Sequence, residues 1–235
     1  MLFPIGDDQV KGGYYPFFSY AFIVLNTLVF LYQSTLSVPA FETFVMTYGA
    51  VPAEVMQGGH FLTLFTSMFL HGSWLHLIGN MVFLWIFADN IEATIGSFRF
   101  LLFYFIGGLA AHAGHIYFNL GSEIPTVGAS GAIAAVMGGY LILFPSSKIK
   151  MLFIFFIIRI PAFVFLLFWI IQQVTLGNAD LQAVPVATAG VAWWAHIAGF
   201  AYGVIAGFYY RLNYPRPTDG ALVLDPPRYR RDDLL

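Results

Sequence analysis

The chain has 235 residues, of which 59% are hydrophobic, 19% aromatic and only 9% charged. A soluble domain carries about a quarter charged residues, so lipid is the expected main solvent. A net charge of −2 gives no case for a nucleic-acid partner, and the absence of cysteine excludes disulfides, thiolate metal sites and a cysteine nucleophile.

Residues 1–16, MLFPIGDDQVKGGYYP, place acids, glycines and prolines ahead of any apolar run. That is not the layout of a cleavable signal peptide, and the segment reads as a cytoplasmic N-terminal tail. Six apolar segments follow, at 17–37, 73–89, 98–119, 129–144, 161–176 and 193–211. A span needs roughly 20 apolar residues, fewer where the bilayer thins. Lipid-facing backbone must satisfy its polar groups within the segment, so the expected class is an all-α polytopic membrane protein with six transmembrane helices in residues 17–211.

Two apolar stretches do not read as simple spans. Residues 38–72 contain Pro39, Pro52 and Gly58-Gly59 before FLTLFTSMFL, which suggests a long loop half-immersed in the outer leaflet with short helices of its own. Met151–Ile160 precedes Pro161. Proline favours a first helical turn and pushes its predecessor toward extended geometry, so the fifth span is set to begin at Pro161. The alternative is a longer helix from Lys150, kinked at the proline.

Basic residues orient the spans. Lys11, Arg99, Lys148, Lys150, Arg159, Arg211, Arg216, Arg228, Arg230 and Arg231 are all ten of the lysines and arginines, and all fall on one side of a six-span chain. The loops 38–72, 120–128 and 177–192 have none. The positive-inside rule makes the basic side cytoplasmic, so both termini are expected there, with residues 212–235 a mobile tail.

Spans two, four and six begin on the outer side, and their outer ends carry His76 and Asn80, Ser130, and His196. Polar groups inside a membrane are costly and invite a functional reading. Span four reads GASGAIAAVMGG, with Ser130, Ala134 and Gly138 four apart; span six reads AHIAGFAYGVIAG, with Gly199, Gly203 and Gly207 four apart. Small-xxx-small stripes let membrane helices approach closely. Facing stripes would bring Ser130 and His196 to one level, where a neutral imidazole could take the hydroxyl proton as serine attacks a carbonyl. The first turn of the Ser130 helix offers free backbone N–H groups, and His76 and Asn80, at i and i+4, could add two donors for an oxyanion. No buried carboxylate suggests itself to orient His196, so a dyad is expected rather than a triad.

HGSWLHLIGN at 71–80, GASG at 128–131 and AHIAGFAYG at 195–203 resemble, in order, the signatures of the rhomboid intramembrane serine proteases, over roughly residues 17–211. The resemblance implies a six-helix rhomboid-like bundle in a prokaryotic cytoplasmic membrane and needs no cofactor. It makes Ser130 the nucleophile and His196 the base, with His76 and Asn80 contributing to the oxyanion site and His71 supporting the outer loop. The motif glycines Gly128, Gly131, Gly199 and Gly203 become structural supports. The implied partners are the lipid bilayer and transmembrane protein substrates cut near their outer end.

The pattern departs from the family at two places. A Trp-Arg pair frequent in the first outer loop is replaced by Leu62 and Thr63, and an aromatic residue four after the serine is replaced by Ala134. His196 must then be held by other neighbours, with Trp193, Trp194 and Tyr202 the candidates. His112 and His115 have a spacing that could ligate a metal, but interhelical or headgroup hydrogen bonding is the preferred reading. Asp89 and Glu92 read as a solvated cytoplasmic face, and Trp74, Trp85 and Trp169 as interface belts and lipid-facing packing. A noncleaving scaffold for transmembrane clients and a histidine-relay transporter are the rival functions. Both catalytic-type residues are retained, against the first, and no internal repeat supports the second.

Overall fold

The computed structural model describes residues 2–8, 11–12, 15–182, 191–213 and 223–224. Long apolar runs without an internal proline give α1 (Phe17–Thr35), α5 (Trp74–Ile95), α6 (Ser97–Phe118) and α8 (Ala162–Gln182), each long and apolar enough to cross a membrane. The apolar α7 (Ser130–Leu143) has 14 residues, and α9 (Trp193–Asn213) has 21. The outer loop folds as expected into short helices: α2 (Val38–Tyr48), α3 (Pro52–Met56), α4 (Thr63–Thr66) and a 3-10 turn at Ser67–Phe69.

The centre of the fold is α7, flanked by α5, α6 and most extensively α9. Its residues from Gly131 to Tyr140 are all buried. The small-residue stripes do face each other. A Cβ at Gly199 would fall 2.2 Å from the Gly131 carbonyl oxygen, one at Gly203 would fall 1.9 Å from that of Ala135, and one at Gly138 would fall 2.2 Å from that of Phe200. Backbone therefore lies directly on backbone.

Three features differ from the sequence reading. First, the chain is not wholly helical. Met151–Ile160 is neither loop nor kinked helix but most of an antiparallel hairpin, β3 (Lys148–Phe153) and β4 (Phe156–Pro161). A short apolar run cannot be assigned by periodicity alone. The β-branched, alternating start KIKM buries Ile149 and Met151 while both lysines stay on the other face. Pro161 ends β4 rather than opening the helix. Second, the N-terminal tail supplies a third strand: β1 (Leu2–Gly6) pairs antiparallel with β3. Beside it Asp7 is buried, and Tyr140 Oη and Asn90 Nδ2 both donate to its carboxylate. Two further two-residue strands, β2 (Lys11–Gly12) and β5 (Val223–Leu224), pair in parallel. Apart from β5, the expected mobile tail beyond Asn213 lies outside the described residues.

Third, Asp89 and Glu92 are buried rather than solvated, because α5 continues past residue 89 to Ile95. Glu92 is 0% exposed and caps α1. Its Oε1 accepts from the Phe18 amide at 2.9 Å, and its Oε2 from the Ser19 amide and hydroxyl, both at 2.7 Å. First-turn amides have no intrahelical partner, and a carboxylate suits the positive end of the helix. Hydrogen bonds to a charged group are worth more than neutral ones, so Glu92→Ala is expected to lose about 2–3 kcal/mol of stability. Thermal unfolding in detergent measures this, and an unchanged midpoint would remove Glu92 from the anchoring of α1.

Candidate active site

Ser130 is the first residue of α7, and Ala129 before it begins the helical hydrogen-bond series by accepting from Ile133 at 3.0 Å. The turn into the helix needs Gly128, whose φ of +128° suits only glycine. A Cβ at Gly128 would also fall 2.8 Å from His76 Nε2 and 3.7 Å from Asn80 Nδ2. The side chains of α5 thus close over the residue two before Ser130. The Gly128 amide donates to the Ser67 carbonyl at 2.9 Å, fixing the turn to the outer loop.

Across the α7–α9 contact, His196 sits in the first turn of α9, buried. Its Nε2 lies 2.8 Å from Ser130 Oγ, and its Nδ1 lies 2.8 Å from Gln173 Oε1 on α8. An amide oxygen can only accept, so this contact calls for the ring proton on Nδ1, the tautomer in which the Nε2 lone pair faces the serine. Ser130 is half-buried, so the pair is not sealed from outside. Of the neighbours expected around His196, Trp193 stands edge-on at 6.3 Å, while Trp194 stacks on Phe118 at 3.6 Å and Tyr202 packs on Phe103. Trp169 of α8 also lies beside the imidazole, its ring tilted by 37° at 5.8 Å. Trp169 is therefore partly a site residue rather than a lipid-facing one; Trp74 and Trp85 are exposed, as a lipid-facing role requires.

His76 and Asn80 share one face of α5, whose N-terminus is capped by Ser73 Oγ accepting from the His76 amide at 3.2 Å. Asn80 Nδ2 donates to His71 Nε2 at 2.9 Å, which leaves its second N–H for another acceptor. His71 is itself clamped to α1: its amide donates to Gln33 Oε1 at 3.1 Å, and Gln33 Nε2 donates to its carbonyl at 3.3 Å. Burial, with the neighbouring His76 adding to it, lowers the pKa of His71 to about 3, so it stays a neutral acceptor for Asn80.

The outer loop is anchored without the Trp-Arg pair. Leu62 is exposed, and Thr63 Oγ1 donates to the His60 carbonyl at 2.6 Å. The fastening falls to Ser67 Oγ, 3.1 Å from His112 Nε2, and to a two-way backbone bridge between Ala50 and Thr126. His112 and His115 do not converge: His115 Nδ1 accepts from Asn119 Nδ2 at 3.3 Å.

The sequence reading missed Gln173 and Gln33. Both are polar groups within apolar helices, and that cost in lipid was the available signal.

Comparison with known proteins comes out as follows. The model of the rhomboid domain matches residues 58–213. Rhomboid protease GluP of Bacillus subtilis is 32% identical over 126 residues, covering 54% of this chain and 24% of that protein. Presenilin-associated rhomboid-like protein A, mitochondrial, of Danio rerio is 29% identical over 192 residues, covering 77% of this chain and 45% of its own. Rhomboid protein 1, mitochondrial, of Saccharomyces cerevisiae is 27% identical over 202 residues, covering 81% and 52%. The chain thus spans between a quarter and about half of the length of these relatives.

Proposed function

Since the chain belongs to the rhomboid family of integral membrane proteins, we propose that it is an intramembrane serine endopeptidase that cuts transmembrane protein substrates through Ser130 and His196. The observation that carries this reading is the 2.8 Å contact between Ser130 Oγ and His196 Nε2. His196 Nε2 takes the hydroxyl proton as Oγ bonds to the scissile carbonyl carbon, then gives it to the departing amine nitrogen. The acyl-serine is hydrolysed by a water that His196 deprotonates in turn, which restores the free hydroxyl. Negative charge on the carbonyl oxygen is met by the Ser130 amide in the first turn of α7 and by the side chains of His76 and Asn80. Gly199 and Gly203 serve this arrangement by letting α9 lie on the α7 backbone, Gly131 by leaving room for the Ala111 side chain, Gly128 by its turn, and His71 by holding Asn80.

The reading includes six spans within residues 17–211, α7 and α9 added to α1, α5, α6 and α8, with residues 1–16 and 212–235 as the tails outside them. A 14-residue helix is about 21 Å long, against a hydrocarbon core of about 30 Å. With the cytoplasmic end of α7 near the membrane surface, its first residue, Ser130, starts well below the outer one. Lysines and arginines gathered on one side of such a chain make that side, and both termini, cytoplasmic.

The test needs no known substrate. Purified protein in detergent, treated with a fluorophosphonate probe, is expected to carry an adduct on Ser130 by mass spectrometry. The adduct should be missing from His196→Ala protein treated in parallel. A folded wild-type chain that never reacts would favour the noncleaving scaffold instead.

A further inference from the structure

The dyad expected from sequence has a third member that is not a carboxylate. Gln173 is 4% exposed, and within an apolar helix an unpaired amide is costly. Its Oε1 meets His196 Nδ1 at 2.8 Å. Four residues earlier on the same face of α8, Trp169 lies beside the same imidazole, tilted, at 5.8 Å. One helix thus brings both an aromatic neighbour, Trp169, and a hydrogen-bond partner, Gln173, to the ring. The neighbouring Gln172 is exposed, so the two glutamines are not equivalent.

A neutral imidazole has two tautomers, and only the one protonated at Nδ1 can accept the serine proton at Nε2. The wrong tautomer disables a serine nucleophile while leaving the geometry intact. Resting on the serine–histidine reading above, we infer that Gln173 is a positioning residue: by accepting from Nδ1–H it selects the tautomer of His196 that can act as a base toward Ser130. Three helices then share one chain of hydrogen bonds, Gln173 on α8, His196 on α9 and Ser130 on α7. A displacement of α8 would disarm the base even with α7 and α9 still in contact. An amide does this without adding charge. It orients the ring as a carboxylate would, but offers the imidazolium less stabilisation.

The experiment measures the rate of fluorophosphonate labelling of Ser130 against pH in wild-type protein and in Gln173→Met, Gln173→Glu and Gln172→Met. The other histidines whose charge bears on His196 are His76 on α5 and His115 on α6; both are unchanged in every variant. Gln173→Met keeps the volume but removes the acceptor, and its labelling is expected to fall about 10-fold or more. Gln172→Met should react like wild type. Gln173→Glu keeps an acceptor and should recover most of the rate. Its carboxylate favours the imidazolium, so the acidic limb of its profile moves to higher pH. Wild-type rate and profile in Gln173→Met would overturn the inference. So would an equal loss in Gln173→Glu with an unmoved profile, because packing alone would then account for it. A wild-type protein that does not label at all would instead refute the serine–histidine reading. Should Gln173→Met fail to fold, 15N NMR of histidine-labelled wild type decides the matter, with the His196 signals assigned by difference from His196→Ala. A protonated Nδ1 supports the inference and a protonated Nε2 defeats it.

Discussion

Ser130→Ala and His196→Ala are each expected to lower peptide-bond hydrolysis by about 10^4-fold or more, and the double variant to be hardly worse than either. In the proposed mechanism attack and proton removal are coupled across the 2.8 Å contact, so losing either partner would lose both. The two variants should differ in stability. Ser130→Ala removes one hydroxyl from a half-buried position and should melt close to wild type. His196→Ala opens a cavity between α7, α8 and α9 and leaves the Gln173 oxygen buried without its donor, which is destabilising by about 1–3 kcal/mol. Measured on a purified model transmembrane substrate alongside thermal unfolding, a fall in activity at unchanged melting in Ser130→Ala separates chemistry from folding. Cleavage retained by folded Ser130→Ala would exclude it as nucleophile.

The second large effect is steric. Gly203→Ala adds one methyl group where the nearest atoms are backbone: the Ala135 carbonyl oxygen at 1.9 Å, its carbon at 2.7 Å and the Ala135 Cα at 2.9 Å. Ordinary contact needs about 3.5–4.0 Å, and no rotamer change can yield that space, so α9 must move off α7 by about 1–2 Å. Overpacking of this kind is destabilising by about 1–3 kcal/mol. A 1 Å misplacement at a reacting pair can cost about 10²-fold in rate. The control is Gly79→Ala on α5, where a Cβ meets nothing within 4 Å. It should leave activity unchanged and, through helix propensity, stability unchanged or slightly raised. Equal behaviour of the two variants would mean that the α7–α9 contact does not govern the site.

These contrasts also explain what the sequence could say. The glycine stripes and the HxxxN pair repeat at helical spacing within one segment, so their faces could be read directly from the chain. The apposition of α7 and α9 followed from two such stripes needing each other. Gln173 was not legible in the same way. Nothing in WIIQQV says which of two adjacent glutamines points inward, since that depends on the rotation of α8 against α9. Glu92 was misread because its partners, Phe18 and Ser19, lie more than seventy positions away. A carboxylate near a helix end looks solvated until the amides it satisfies are known. The hairpin was missed for another reason: a ten-residue, mostly apolar run leading into Pro161 carries the same hydrophobicity whether it becomes strand or helix.

The pairing of β1 with β3 sets an order of events during synthesis. Gly6 lies opposite Lys150, and Leu2 opposite Phe153. At about 5–20 residues per second, a ribosome needs of order ten seconds to make the partner after β1 has emerged. The apolar helices α1, α5, α6 and α7 are all made between the two strands, and β1 can dock only once β3 exists. β1 is thus made long before it can be fastened, and Asp7, just after it in the chain, accepts from Tyr140 beside that same pairing.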